Sequence, residues 1–400
     1  MKKAIKFLFV FALSVALICC FVGCSNKKNN EEKNGQTATE IQMQPQLEYP
    51  IRVELDSSNV RELIVEYMTS MAKIKWTPSE SIHITADNGS WGVNMKYEKG
   101  KKYMGLPYTR AYSDLEIFSE YVKKGVFTPE KNTGYEDMAG ANCSSACDVS
   151  WQKALLNETG ATYTYVPGYK KKLLIPVGEY KYPQNNCDTK IIIGMNNRDV
   201  MFEAYANCNP ADAIVKWSDE SSSGHCRMVV AKAVVKRNAK GKISGSASYL
   251  TMTEQTNSFV SSSANSQTCW RVEKIYTFED LYSDNYIPVT HKVFADGKTE
   301  QHYFKYSDGN TSEDVARGLK GDIESNYAIH SIELTVYDKS GEIVKKHYDL
   351  FDKGSAKVNL KKYTFALGIS ELPEGEYTYT LSAENILLGK AEICRIEFTK

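Results

Sequence analysis

The chain has no surplus of charge: 49 Lys and Arg stand against 49 Asp and Glu over 400 residues, for a formal net charge of zero. Without a basic excess there is no electrostatic footprint for a phosphate backbone, so nucleic acid is not an expected partner. Walker, Rossmann and G-x-S-x-G patterns are missing, which removes the usual phosphate cradles and the serine nucleophile elbow. No C-x-x-C occurs either. A zinc reading of Cys143, Cys147, Cys208, His225 and Cys226 therefore lacks its ordinary spacing. Adjacent His225 and Cys226 would also point to opposite faces of a strand. Neither a metal nor another cofactor is expected. The α/β alternation needed by a solute-binding lipoprotein is absent as well.

Long apolar runs are confined to the start of the chain. Lys2, Lys3 and Lys6 precede the nearly all-apolar Ile5–Val22, and Phe21-Val22-Gly23-Cys24 resembles a bacterial lipobox. The expectation is a leader over 1–24 and lipidation of Cys24. That places the mature protein in the bacterial cell envelope, lipid-anchored on the outer side of the cytoplasmic membrane. Removing the three lysines leaves the remainder about three charges negative. Residues 25–50 are polar at first and aperiodic, as expected of a flexible tether that cannot offset its own ordering entropy. Beyond Cys24 there are seven cysteines, Cys143, Cys147, Cys187, Cys208, Cys226, Cys269 and Cys394. An odd number leaves at least one free thiol, and Cys187–Cys208 is one possible disulfide among several.

The stretch that organises the rest is Gly134–Glu158. A glycine-containing loop runs into Asn142-Cys143-Ser144-Ser145, and the pattern of Ala146, Val149, Ala154 and Leu155 predicts a helix directly after it. Cys143 then sits at the first turn, where unpaired N–H groups and the positive dipole end favour thiolate over thiol. Upstream, Val60–Ile74 has the period of an amphipathic helix, with Asn59 and Glu62 as a capping-box-like start. Tyr103–Tyr108 is a stiff aromatic turn, and Gly160–Asn196 reads as a loop-rich insertion.

Farther on, Gly224–Ala231 and Tyr249–Thr256 are strand-like runs around the turn signal Asn238–Gly241. A hairpin centred between residues 239 and 240 sets His225 directly opposite Glu254 on one face. A slip of one residue brings Gln255 there instead. His291, His302, His330 and His347 lie in scattered β-like contexts and read as surface or core residues.

Taken in order, Tyr103–Tyr108 (Y-x-G-x-P-Y), Ala141–Ser144 (A-N-C-S), Asn209–Val215 (x-P-A-D-x-x-V) and Gly224–Val230 (G-H-x-x-x-V-V) resemble NlpC-type and CHAP-type cysteine peptidases and amidases of bacterial cell walls. Glu254-Gln255 is similar to the element that supplies the third catalytic residue in CHAP domains. The resemblance implies a papain-like core over about half the chain. It implies Cys143 as nucleophile, His225 as general base and then acid, and Glu254 as orienter of the imidazole. It also implies Tyr108, Asn142 and Ser144 beside the substrate, peptidoglycan or peptide as that substrate, and a monomer. Where NlpC-type enzymes carry D-C-S-G, this chain has Asn142-Cys143-Ser144-Ser145, so their acidic contact to a free amine has no counterpart.

From Ala328 onward the pattern is all strand, with turns at Asp338–Gly341 and Pro373–Gly375. The expected fold class is α+β: a papain-like hydrolase domain over 51–290 and an immunoglobulin-like β-sandwich over 291–400. The alternative function is an inactive surface-binding lipoprotein on the same scaffold. A Cys143 sulfur within hydrogen-bond reach of His225 in an open cleft favours the enzyme, and a sulfur turned away from it favours the binder.

Overall fold

The computed structural model describes residues 47–87, 92–156, 174–183, 188–262, 265–294 and 301–400. The expected leader with Cys24, most of the tether, Cys187 and much of the loop-rich insertion lie outside these residues, and Cys208, a possible disulfide partner of Cys187, is instead a free buried thiol. No helix among the described residues is long and apolar enough to cross a membrane.

Gln46–Lys400 forms one compact unit of mixed α+β structure in which strands predominate. A ten-stranded sheet carries the middle of the chain. Its central strands, in spatial order, are Gln267–Thr277, Tyr249–Ser261, Ser223–Val229, Ala213–Ser218 and Ile287–His291. The helices Val60–Lys73 and Cys143–Gln152 pack on it. The first is amphipathic as its period predicts, burying Val60, Ile64, Tyr67, Met68 and Met71. Its expected capping box is absent, because Asn59 makes no side-chain cap. The second helix is buried on almost every side, from Cys143 through Trp151. It is a core element with both ends held by the protein.

The C-terminal strands form a six-stranded antiparallel sheet with its own apolar core, which includes Ile332, Leu334, Tyr379, Leu381 and Ile396. Ile51–Leu55, expected at the head of the hydrolase domain, pairs instead with His302–Ser307 at the edge of this sheet. Alternation of Ile51, Val53 and Leu55 specifies a half-buried strand without naming its sheet. The all-strand expectation beyond Ala328 also needs correction. Leu360–Tyr363, Thr364–Leu367 and Ile369–Glu371 are short helical turns, which bury Leu360, Tyr363, Leu367 and Ile369 in that same core.

This sheet reaches the Cys143 helix at its far end. The Ala154 carbonyl accepts from Ala328 N at 3.0 Å and Asn385 Nδ2 at 3.0 Å, and the Gln152 carbonyl lies 2.8 Å from His330 Nε2. The last carbonyls of a helix have no partner of their own, so the His330 contact satisfies that of Gln152, while Ala328 and Asn385 hold Ala154 just past the helix end. His330 is thus a buried structural group. His291 and His302 are buried too, and neither lines the cleft described below.

Candidate active site

Cys143 owes its position to two local devices. Asn142 has extended backbone geometry, and its Oδ1 accepts from Ser144 N at 3.1 Å and Ser145 N at 2.9 Å. Ser145 Oγ in turn accepts from Asn142 N at 2.8 Å, closing a capping box. The helix therefore starts at Cys143, as the sequence predicts. The second device is the aromatic turn Tyr103–Tyr108. Leu106 O accepts from Gln255 Nε2 at 2.8 Å and Trp270 Nε1 at 3.0 Å, while Gly105 O accepts from Trp76 Nε1 at 2.8 Å. Gly105 has φ of +81°, and a Cβ there would lie 2.3 Å from the Trp270 ring and 2.9 Å from Ala72 O. Only glycine fits. The turn then bridges to Ala141, which brings the Tyr108 hydroxyl 3.9 Å from Cys143 Sγ.

His225 and Glu254 come from neighbouring strands, although not in the expected register. Met228 pairs with Thr253 and Val229 with Met252, which moves the pairing by two residues from the sequence-based centre. The residues between the strands are not a simple hairpin, because Val234–Tyr249 and Arg237–Ile243 form bridges of their own. A shift of two preserves the face, so His225 Nε2 still meets Glu254 Oε2, now diagonally. Gln255 points to the other side and holds the aromatic turn.

Cys143 and His225 are joined by a side-chain hydrogen bond, while the imidazole Nε2 is engaged by Glu254. Burial pushes the Cys143 thiol up. The hydrogen bond and charge of His225, joined by the Cys226 N–H and the Tyr108 hydroxyl, outweigh burial and leave it below the ordinary thiol range. Burial likewise opposes a charged His225, but Cys143 and Glu254 hold its pKa up at about 9. Glu254 is pulled down to about 2 against the effect of burial, first by His225 and then by Arg227 and Tyr276. The three groups favour thiolate, imidazolium and carboxylate together. Burial and the Cys143 charge raise Tyr108, keeping it a phenol that donates to the sulfur.

Two residues at this site escape sequence reasoning. Arg227 Nε donates to Glu254 Oε2 at 2.8 Å, its guanidinium lying between the rings of Tyr276 at 4.0 Å and Tyr286 at 4.2 Å. The Tyr276 hydroxyl donates to Glu254 Oε1. Arg227 follows His225 by two positions and so shares its strand face, which is a usable signal. Tyr276 carries no such mark.

Cys143 is only 8 % exposed, yet it lines a cleft of about 430 Å³ together with Tyr108, Asn142, Ser144, Lys216 and His225. Asn142 and Ser144, expected beside the substrate, are in the cleft wall. The Asn142 carboxamide oxygen is already engaged by Ser144 and Ser145. Asp212, from the P-A-D stretch, is buried away from the cleft, paired with Arg61 at 2.7 Å and accepting from Thr290 Oγ1 at 2.5 Å. Cys147 and Cys226 are buried beside each other, and burial raises both thiols.

No protein-family model matches this chain, and no curated protein matches it. Among solved structures, the chain is similar to a tetra-tandem repeat in the extending region of a large adhesion protein, at 9 % identity and a TM-score of 0.17. That similarity spans 47 % of this chain and 66 % of the other, just under two thirds of its length. At so low a score it carries no argument about fold or function.

Proposed function

We propose that this protein is an exported cysteine hydrolase that cleaves amide bonds, foremost in peptidoglycan stem peptides. It is lipid-anchored through Cys24 and built on a papain-like core followed by an immunoglobulin-like module. The observation that supports the reading is the chain Cys143–His225–Glu254, opening at a helix N-terminus into a cleft.

In this reading the Cys143 thiolate attacks the scissile carbonyl. The tetrahedral oxyanion forms beside the Cys143 backbone N–H at the head of the helix and the Tyr108 hydroxyl. His225 then gives its proton to the leaving amine as the C–N bond breaks, producing a thioester and neutral imidazole. Water, deprotonated by His225, attacks the thioester. The acid departs and the thiolate–imidazolium pair is restored. Glu254 holds the imidazole in place through Nε2 throughout.

The experiment is digestion of purified peptidoglycan by the wild type and by Cys143→Ala, with released fragments identified by mass. Fragments from the wild type and none from Cys143→Ala are expected. Equal release by both proteins removes the assignment.

A further inference from the structure

We propose that the Cys143 cleft selects substrates bearing a carboxylate beside the scissile amide, with Lys216 as the principal recognising cation and Arg110 at the rim. The proposal deepens the cysteine-hydrolase reading and rests on it.

Lys216 is paired directly with His225 across two antiparallel strands, so their side chains share one face. Both line the cleft. Two cations side by side on a half-buried face repel each other, and a purely structural lysine would be expected to have a carboxylate near it. Among the described residues Lys216 forms no ion pair. Its ammonium lies 5.7 Å from the centroid of the Tyr286 ring. Asp219, in the turn just after the Lys216 strand, accepts from Trp217 Nε1 at 2.7 Å. Glu254 is behind the imidazole, bonded by His225, Arg227 and Tyr276. No carboxylate lines the cleft among the described residues, whereas Lys216 and Arg110 both do.

Arg110 has a fixed backbone and a movable head. Its N–H donates to Tyr135 O at 2.6 Å, while its guanidinium is 3.7 Å from Glu136 with both side chains more than half exposed. Such a pair holds little energy, so an incoming carboxylate can displace Glu136. The cleft that Cys143 lines therefore offers a substrate two cations, Lys216 without an ion pair among the described residues and Arg110 in one exposed, displaceable pair. It offers no anion to take up an ammonium group. Its polarity is opposite to that of a site built around an acidic residue next to the cysteine, and position 142 is the neutral Asn142.

The test uses the full chain and two readouts. The first compares alkylation of Cys143 by anionic iodoacetate and neutral iodoacetamide at low salt, with labelled peptides mapped by mass. Lys216→Met and Arg110→Gln should each lower the iodoacetate-to-iodoacetamide rate ratio about threefold, and Lys216→Arg should retain it. The second uses peptide pairs identical except for a carboxylate or a carboxamide next to the scissile bond. The carboxylate member should be favoured about tenfold in kcat/KM, a preference that Lys216→Met erases and Lys216→Glu inverts. Equal cleavage of both members, or an alkylation ratio that Lys216→Met leaves unmoved, overturns the proposal while the hydrolase reading stands. A shifted alkylation ratio with no cleavage of any peptide removes the hydrolase reading and retains the anion-selective cleft.

Discussion

Arg227 and His225 share a single acceptor: Arg227 Nε lies 2.8 Å from the same Glu254 oxygen that meets His225 Nε2. The carboxylate is thereby clamped between two cations, and it orients the imidazole without being free to rotate. Arg227→Met should lower hydrolysis by about tenfold, acting through Glu254 rather than on substrate. Loss of a neighbouring positive charge favours imidazolium, so the alkaline limb of the rate profile should move to higher pH. A rate loss with an unshifted alkaline limb would mean that Arg227 serves packing alone.

The protonation states set a window for activity. The rate should fall as pH rises through about 9, where His225 loses its proton, and should fall again in acid as the Cys143 thiolate is protonated. In His225→Ala the largest remaining influence on Cys143 is burial, which raises the thiol. Iodoacetamide labelling at pH 6, brisk in the wild type, should then be lost. Persistent labelling of the variant at that pH would show that the helix terminus alone sustains the thiolate.

His225 and Glu254 also link stability to pH. His225 rises from 6.5 to about 9 on folding, so its contribution is complete below 6.5 and is lost as pH rises through 9. Glu254 falls from 4.5 to about 2, so its contribution is complete above 4.5 and is lost as pH falls through 2. Both are complete between 4.5 and 6.5. The Tm deficit of Glu254→Gln should be largest in that interval and shrink on either side. A deficit independent of pH contradicts the linkage.

Gly105→Ala tests the turn that carries Tyr108. The new Cβ would overlap the Trp270 ring and approach Ala72 O at a positive φ, so a loss of about 3 kcal/mol is expected in denaturant unfolding. An unchanged midpoint would show that the ring has room to move.

Asn385→Ala probes the hold of the C-terminal sheet on the Cys143 helix. It strips a buried donor from the carbonyls of Ala154 and Ala328 and should cost about 1–3 kcal/mol. Because Ile51–Leu55 also belongs to that sheet, a fragment of residues 51–290 should fail to give a cooperative unfolding transition. Cooperative unfolding of that fragment would show the two sheets to be independent.

The helix beginning at Cys143, the amphipathic Val60–Lys73 and the strands bearing His225 and Glu254 were legible in the sequence, because each depends on capping chemistry or on a period within a few turns of chain. The meeting of His225 and Glu254 on one face also followed from strand parity, which a two-residue shift leaves intact, whereas a place for Cys143 beside them was implied only by the resemblance. Other features depended on the assembled chain. Ile51–Leu55 alternates like any edge strand, and only pairing with His302–Ser307 assigns its sheet. Tyr276 joins Glu254, and Asn385 holds Ala154, through contacts between residues far apart in sequence that leave no local pattern. Local geometry thus determined which elements form and which way their side chains face. Long-range burial decided which polar groups had to find one another, since an unpaired group inside the core is costly wherever its partner lies in the chain.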